Sequence, residues 1–241
     1  SLMSKMLRAD YNISTATNGK EGLEQIEAES IDLIVTDVMM PVMDGMELTH
    51  RIKGDADYCH IPVILLTAKT KDEDREEGYN VGADGFITKP FQLSVLHARI
   101  KNLLEARNRV HTRFKDKAYF ELKELEYTNL DQDFLQRAID CVNQHLDDTE
   151  FDQQAFVEEM GTSKSTLYNK LKSLTGLNTS AFITNIRLKA ACKVIQENPN
   201  IRISDLAYMV GFNNPKYFST CFKKEFGMLV KEYAAEIISK E

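Results

Sequence analysis

Three residues, each closing an apolar run, could do chemistry together. Asp37 ends the run 31–37 and is followed by VMMPVMDG at 38–45; Thr67 ends the run 61–67; Lys89 ends GFITK at 85–89 and precedes Pro90. Apolar runs of this length, bounded by Pro, Asp and Gly, read as buried strands followed by turns. In open α/β sheets, chemistry gathers at the carboxyl ends of the strands. A carboxylate, a hydroxyl and an ammonium on three successive strand ends make a small site for a phosphoryl group. The carboxylate would be the nucleophile, the hydroxyl a hydrogen-bond donor and the lysine the partner of the phosphate charge. Singly, each residue has a plainer reading: an Asp after a strand is usually a cap or turn residue, and a Thr or Lys at a strand end is usually solvated. The combination carries the chemistry.

The elements that must position these residues alternate over the first hundred positions. The pattern predicts a strand near 12–16, a helix at 19–29, a strand at 31–36, a helix at 44–54, a strand at 61–66, a helix at 72–80, a strand at 85–88 and a helix from Gln92. Such alternation is the α/β signature. After Pro90 no strand is predicted. In the helix from Gln92, residues Leu93, Leu96, Ile100, Leu103, Arg107, Val110 and Phe114 follow a 3-4 spacing with one charged interruption. Two readings stand for this stripe: a dimer seam, or a helix packed within its own chain. Residues 115–130 are charged and read as a linker, and a helix follows from Asp131.

Bulk properties set the outer limits. The 241 residues suit one large domain or two ordinary ones, and 43% hydrophobic content can build real cores. No apolar run is long enough to span a membrane, and no signal peptide is evident. The four cysteines lie far apart and match no metal spacing, so they read as reduced, cytosolic core residues. The five histidines are scattered. The net charge of −7 is uneven: residues 151–241 hold 12 Lys and Arg against 9 Asp and Glu. Between Met160 and Gln196 there is no acid, yet Lys164, Lys170, Lys172, Arg187, Lys189 and Lys193 fall there. Charge alone balances two readings, an anionic partner and a solvated helical face.

The last ninety residues carry a weak duplication. At an offset of 51, Leu167 matches Phe218, Leu171 matches Phe222, Lys172 matches Lys223 and Gly176 matches Gly227. Each copy follows a short helix and a turn glycine, Gly161 or Gly211. Ser163 reads as the N-cap of one second helix, and Pro215 fits the first turn of the other. This is helix-turn-helix logic, in which the second helix enters the major groove of DNA. Leu167, Leu171, Phe218, Phe222 and Phe226 read as core. Lys164, Ser165, Asn169 and Lys172 on one helix, and Lys216, Tyr217, Thr220, Lys223 and Lys224 on the other, suit phosphates and base edges. An all-helical interaction domain is the competing reading.

The motifs DVMMPVMDG, LLTA and GADGFITKPF resemble a response-regulator receiver domain over roughly residues 1–105. The resemblance implies a flavodoxin-like, doubly wound parallel sheet. It makes Asp37 the phosphoacceptor, Thr67 the switch hydroxyl, Phe86 the aromatic that moves inward on activation, and Lys89 the phosphate-binding lysine, with a cis Lys89–Pro90 bond. Receivers open with a strand ending in an acidic pair that holds Mg2+ together with the phosphoacceptor. Here the chain opens SLMSKMLRADYN, without that strand or that pair, and Asp10 is no substitute. Mg2+ is expected of an intact receiver, and the missing pair counts against it in this chain. The expected strand order 2-1-3-4-5 loses its central member, which predicts a gapped or rearranged sheet, or a gap filled by a neighbouring chain.

The segment 203–227, ISDLAYMVGFNNPKYFSTCFKKEFG, resembles an AraC-type DNA-binding domain covering about residues 130–238, and 151–176 agrees with it. The resemblance implies two helix-turn-helix units joined by a long helix near 180–196. It departs at Val230, where the family has proline, and at Thr220, where it has a basic residue. A receiver followed by such a domain resembles the end of hybrid two-component systems, in which a membrane sensor and histidine kinase precede the receiver; the missing strand is then expected to be a fragment boundary.

The expectation is therefore a receiver at 1–105, a helical linker at 106–130 and a DNA-binding domain at 131–241. Together they form a phosphorylation-controlled transcription regulator rather than an enzyme for an external substrate. Its expected partners are double-stranded DNA, a histidine kinase, which the hybrid-system resemblance puts on the same polypeptide, and a second copy of the chain. The fragment is expected to be cytoplasmic without membrane contact. The alternative is a receiver fold that serves only for interaction, with constitutive DNA binding.

Overall fold

The protein is described by a computed structural model covering residues 2–68, 81–116 and 127–239. It divides into two compact units, Ser1–Asn108 and Arg109–Glu241.

The first unit carries α1 (Leu2–Leu7), α2 (Gly19–Ala28), β1 (Ile34–Asp37), α3 (Gly45–Gly54), β2 (Val63–Thr67), β3 (Gly85–Thr88) and the start of α4 (Leu93–Asp116). The strands form a parallel sheet in the order β1-β2-β3. Central β2 is buried along its whole length, as expected when both faces are covered. Ile64, Leu66 and Ile87 meet Leu96 and Ile100 of α4 in one core, and Val63 meets Leu48 and Ile52 of α3 in another. The helix starts are locally encoded. Asn18 accepts a hydrogen bond from the Glu21 amide at 3.0 Å, and Asp44 accepts one from the Glu47 amide at 2.8 Å.

The strand expected at 12–16 does not form; these residues are irregular. A strand needs a neighbour's amides and carbonyls, and in the expected order this one pairs only with the strand missing from the chain. Tyr11 and Ile13 still pack against the core, and Thr15 O accepts from the Gln25 amide group at 2.8 Å. The sheet of the described residues is thus the short one that the absent strand implies. The helix expected at 72–80 lies outside the described residues.

The stripe on α4 is used inside the chain. Leu96 and Ile100 are buried in the first unit, and Leu93 and Leu103 pack beside them. Arg107, the charged interruption, donates to Asp32 O at 2.9 Å. Phe114 is fully buried in the second unit, with Val110 packed next to it. Of the two readings, packing within the chain is the one observed. Residues 109–116, read as part of a linker, belong to the second unit, with Phe114 in its core, and 117–126 lie outside the described residues.

The second unit continues with α5 (Asn129–Gln144), α6 (Gln153–Met160), α7 (Lys164–Thr175), α8 (Thr179–Glu197), α9 (Ile203–Met209), α10 (Pro215–Phe226) and α11 (Val230–Ile238). Its two cores share α8. Phe182, Ile183 and Ile186 face the first, and Leu188, Ala191, Cys192 and Ile195 the second. Helix α8 is buried around most of its surface, the polar Asn185, Arg187 and Lys189 included. Among the described residues, no helix is long and apolar enough to cross a membrane.

Candidate functional sites

Parallel register brings the three chemical residues to one edge. Asp37 pairs with Leu66, so Thr67 lies one step beyond it on the neighbouring strand, and Thr67 in turn pairs with Thr88 just before Lys89. The Lys89 amide donates to Thr67 O at 2.7 Å, which ties the third strand end to the second. The Lys89 ammonium pairs directly with the Asp37 carboxylate, and both side chains are a little over one-third exposed. Thr67 is buried and Phe86 half-buried. The Lys89–Pro90 bond is cis.

Gly45 is required here by space. A Cβ at this position would sit 2.2 Å from Asp37 O, so the loop after Asp37 can fold back only with glycine where α3 begins. The opposite end of the sheet is held by a group the sequence reading missed. Asp84 accepts from the Val63 amide at 2.8 Å and pairs with Lys53 at 2.8 Å. Lys53 also reaches Ile61 O at 2.9 Å. That clamp is structural.

The residues present do not fit a Mg2+ set. Asp37 is engaged by Lys89, and among the described residues no three His, Cys, Asp or Glu side chains are grouped to hold a metal ion. The expected ligands would come from the acidic pair, which this sequence lacks.

The second candidate site is a pair of exposed helices. Helices α7 and α10 have bounds 51 residues apart at both ends. The Ser163 hydroxyl caps α7 by accepting from the Thr166 amide at 3.1 Å. The Asn214 side chain caps α10 by accepting from the Lys216 and Tyr217 amides, with Pro215 at the first helical position. Both helices end on left-handed glycines, Gly176 at φ 70° and Gly227 at φ 74°. Leu167, Leu171, Phe218 and Phe222 are all fully buried. Lys164, Ser165, Lys172, Lys216, Tyr217, Thr220, Lys223 and Lys224 are exposed, and Asn169 is half-buried. Val230, where proline was expected, is the first residue of α11. There Glu232 accepts from the Leu229 amide at 2.7 Å, so the turn closes without proline.

One exposed residue escaped the sequence reading. Tyr168 is 45% exposed on α7. Its signal was available in the spacing, since 164, 168 and 172 recur every four residues on one helical face.

The acid-free stretch needs a correction. Three of its six cations are buried inside the second unit. Lys170 is fully buried, 3.3 Å from Asp131, and lies over the Phe134 ring at 4.7 Å. Arg187 donates to Asp148 O at 2.6 Å and Phe151 O at 3.4 Å; burial pushes its guanidinium pKa down while Asp148 pulls it back up. Lys189 donates to Phe114 O and lies over that ring. Burying a cation requires partners, and here carbonyls, a carboxylate and aromatic faces supply them. These three charges hold the domain together.

The geometry defines a chain of two kinds. One unit is a parallel α/β domain with a carboxylate–ammonium pair at its carboxyl edge. The other is a helical domain with two capped, basic-faced helices. Comparison with known proteins agrees with this division. Residues 1–101 match the response regulator receiver domain, and residues 156–236 match a helix-turn-helix domain. The chain therefore consists of a response-regulator receiver domain followed by an AraC-type helix-turn-helix domain.

Two relatives span different parts of it. Histidine kinase P4 of Formosa agariphila is 39% identical over 96% of this chain, which covers 17% of that protein. The alkaline phosphatase synthesis transcriptional regulatory protein PhoP of Bacillus subtilis is 38% identical over 43% of this chain, which covers 42% of that protein. The chain thus spans less than half the length of either. Among solved structures, the signal receiver domain of a signal transduction histidine kinase from Syntrophus aciditrophicus is 38% identical, covers 45% of this chain and 82% of its own, and has a TM-score of 0.42.

Proposed function

We propose that this chain is the receiver and DNA-binding part of a two-component transcription regulator, in which phosphorylation of Asp37 controls sequence-specific DNA binding. The observation that carries this reading is the Asp37 carboxylate at the end of β1, paired with Lys89. A carboxylate oxygen attacking the phosphoryl group of a phosphohistidine on the kinase forms the O–P bond as the N–P bond breaks; the imidazole leaves with the electron pair and takes up a proton, and an acyl phosphate remains at that edge. Lys89 then follows the new charge from the carboxylate to the phosphoryl oxygens, the Thr67 hydroxyl donates to it, and Phe86 moves with them. No step is routed through a metal, because the residues present do not supply its ligands.

The phosphoryl donor in this reading is a histidine kinase. The relative aligned over nearly the whole chain bears that name, which supports a kinase on the same polypeptide. Double-stranded DNA is the output partner, through α7 and α10, and places the chain in the cytoplasm. Pairing of two chains would strengthen binding to repeated sites by making the second contact intramolecular. The α4 stripe is already covered, so such pairing would use another surface.

Asp37→Asn in the full-length protein tests the switch. Loss of signal-dependent DNA occupancy, with folding unchanged by circular dichroism, is expected; an unaltered response rejects phosphoryl control. A second reading is that the receiver fold only mediates interaction and DNA binding is constitutive. In that case the variant and the parent bind DNA equally, with or without signal.

A further inference from the structure

We infer that the two exposed helices are tuned to A·T base pairs, so that the pairs read by the middle of each helix are A·T rather than G·C. This rests on the DNA-binding reading of α7 and α10. In the major groove, guanine is read best by a forked guanidinium or by an ammonium. Cytosine is read by a carboxylate that accepts from its amino group, adenine by an Asn or Gln amide, and thymine by apolar contact with its methyl group. The two helices, KSTLYNKLKSLT and PKYFSTCFKKEF, contain no arginine. Their one acid, Glu225, accepts a hydrogen bond from the Asn185 amide group at 2.6 Å and is already engaged. The side chains suited to guanine and cytosine are thus missing or committed, lysine apart.

The exposed lysines sit at the helix ends, Lys170 being buried. Lys164 opens α7 and Lys216 is the second residue of α10, while Lys172, Lys223 and Lys224 lie in the last turns. Lys172 also donates to Gly176 O at 3.2 Å. An ammonium is a point charge that suits phosphate, and this reading assigns these lysines to the backbone. What remains on the outer faces is Tyr168 and Asn169 in the middle of α7, with Tyr217 in the first turn of α10 and Thr220 in its middle. Asn169 carries the amide that matches adenine. Thr220 donates its hydroxyl hydrogen to Lys216 O at 3.0 Å, so that proton is withheld from a guanine acceptor, and its methyl group is the part left to meet a thymine methyl. Tyr168 and Tyr217 are 45% and 58% exposed and offer ring surface to thymine methyl groups.

Selection of the full chain on randomised duplexes, at one fixed salt concentration, tests this. At least tenfold enrichment of A·T over G·C is expected at one position in each half of the selected site. Asn169→Ala should erase the enrichment in one half only. Thr220→Arg, in the other unit, should convert an A·T preference into a G·C preference in the other half, and so keeps the test decisive if the Asn169 variant folds poorly. Enrichment of G·C that disappears in Lys164→Ala or Lys216→Ala overturns the inference, as does tight binding without preference; both leave DNA binding intact. Failure to retain any duplex overturns the inference together with the reading on which it rests.

Discussion

The two helix-turn-helix units place opposite chemistry at the same position. Lys170 of α7 corresponds, 51 residues on, to Cys221 of α10; the first is a fully buried cation paired with Asp131, the second a half-buried thiol. Their aromatic cores differ in reach as well. In the first helix-turn-helix unit, Phe114 of α4 stacks on Phe182 of α8 at 5.9 Å, Phe182 on Phe156 of α6 at 6.0 Å, and Phe151 lies 6.1 Å from Phe156. In the second, Phe212, Phe218, Phe222, Phe226 and Tyr233 form a run of ring contacts at 4.7–6.2 Å, drawn from one short stretch of chain. Local contacts close small loops and cost less entropy to form. The first unit is therefore held by distant elements and charge, the second by neighbours and rings.

The comparison can be broken most forcefully at Asp131. Asp131→Ala leaves Lys170 charged and sealed, which should cost about 3–5 kcal/mol, whereas Cys221→Ala should cost about 1 kcal/mol or less in urea unfolding. Equal losses would mean that the ion pair contributes no more than the thiol. Phe114→Ala should follow, at about 3–4 kcal/mol. Hydrogen exchange should then speed up in α6 and α7 while α10 stays protected; uniform exchange would show that the two cores open together.

A smaller effect separates the units by pH. Burial pushes the Cys192 thiol, in the second core, from 9.0 up to about 11. Below pH 9 the thiol is protonated in both folded and unfolded chains and its contribution is intact. Above that the unfolded chain ionises first, so stability falls by about 2 kcal/mol between pH 9 and pH 11. Cys192→Ala should flatten this part of the alkaline melting profile, and an unchanged profile would shift the cause to other groups such as Tyr127, whose phenol burial also pushes up. The smallest effect is on salt dependence. Lys223→Ala should lower the log–log slope of DNA affinity against salt by about 1, while Lys189→Met, at a buried cation, should leave the slope alone and lower the melting temperature.

What the sequence disclosed was local. Strand ends marked by Asp37, Thr67 and Lys89, the cap at Ser163, the first-turn proline at 215 and the glycines at 176 and 227 each depend on a few neighbouring residues, and the structure has them where their spacing put them. What it concealed depended on distant partners. Residues 12–16 have strand-like composition but no strand to pair with. Lys170, Arg187 and Lys189 look like surface charge until Asp131, Asp148 and Phe114 are brought beside them. The stripe on α4 could have faced a second chain, and only the burial of Leu96 and Phe114 shows which surfaces it covers. Tyr168 was legible by helical spacing alone and was overlooked between two better signals.

The placement of Phe114 bears on how this protein could be recombined. A chimera that grafts its DNA-binding half onto a different regulator has an obvious seam in the charged stretch after residue 116. A splice there would discard Phe114 together with the carbonyl that Lys189 grips, leaving an empty slot beside Phe182. The workable crossover lies ahead of Arg109, so the last turns of the receiver's own helix would have to travel with the graft.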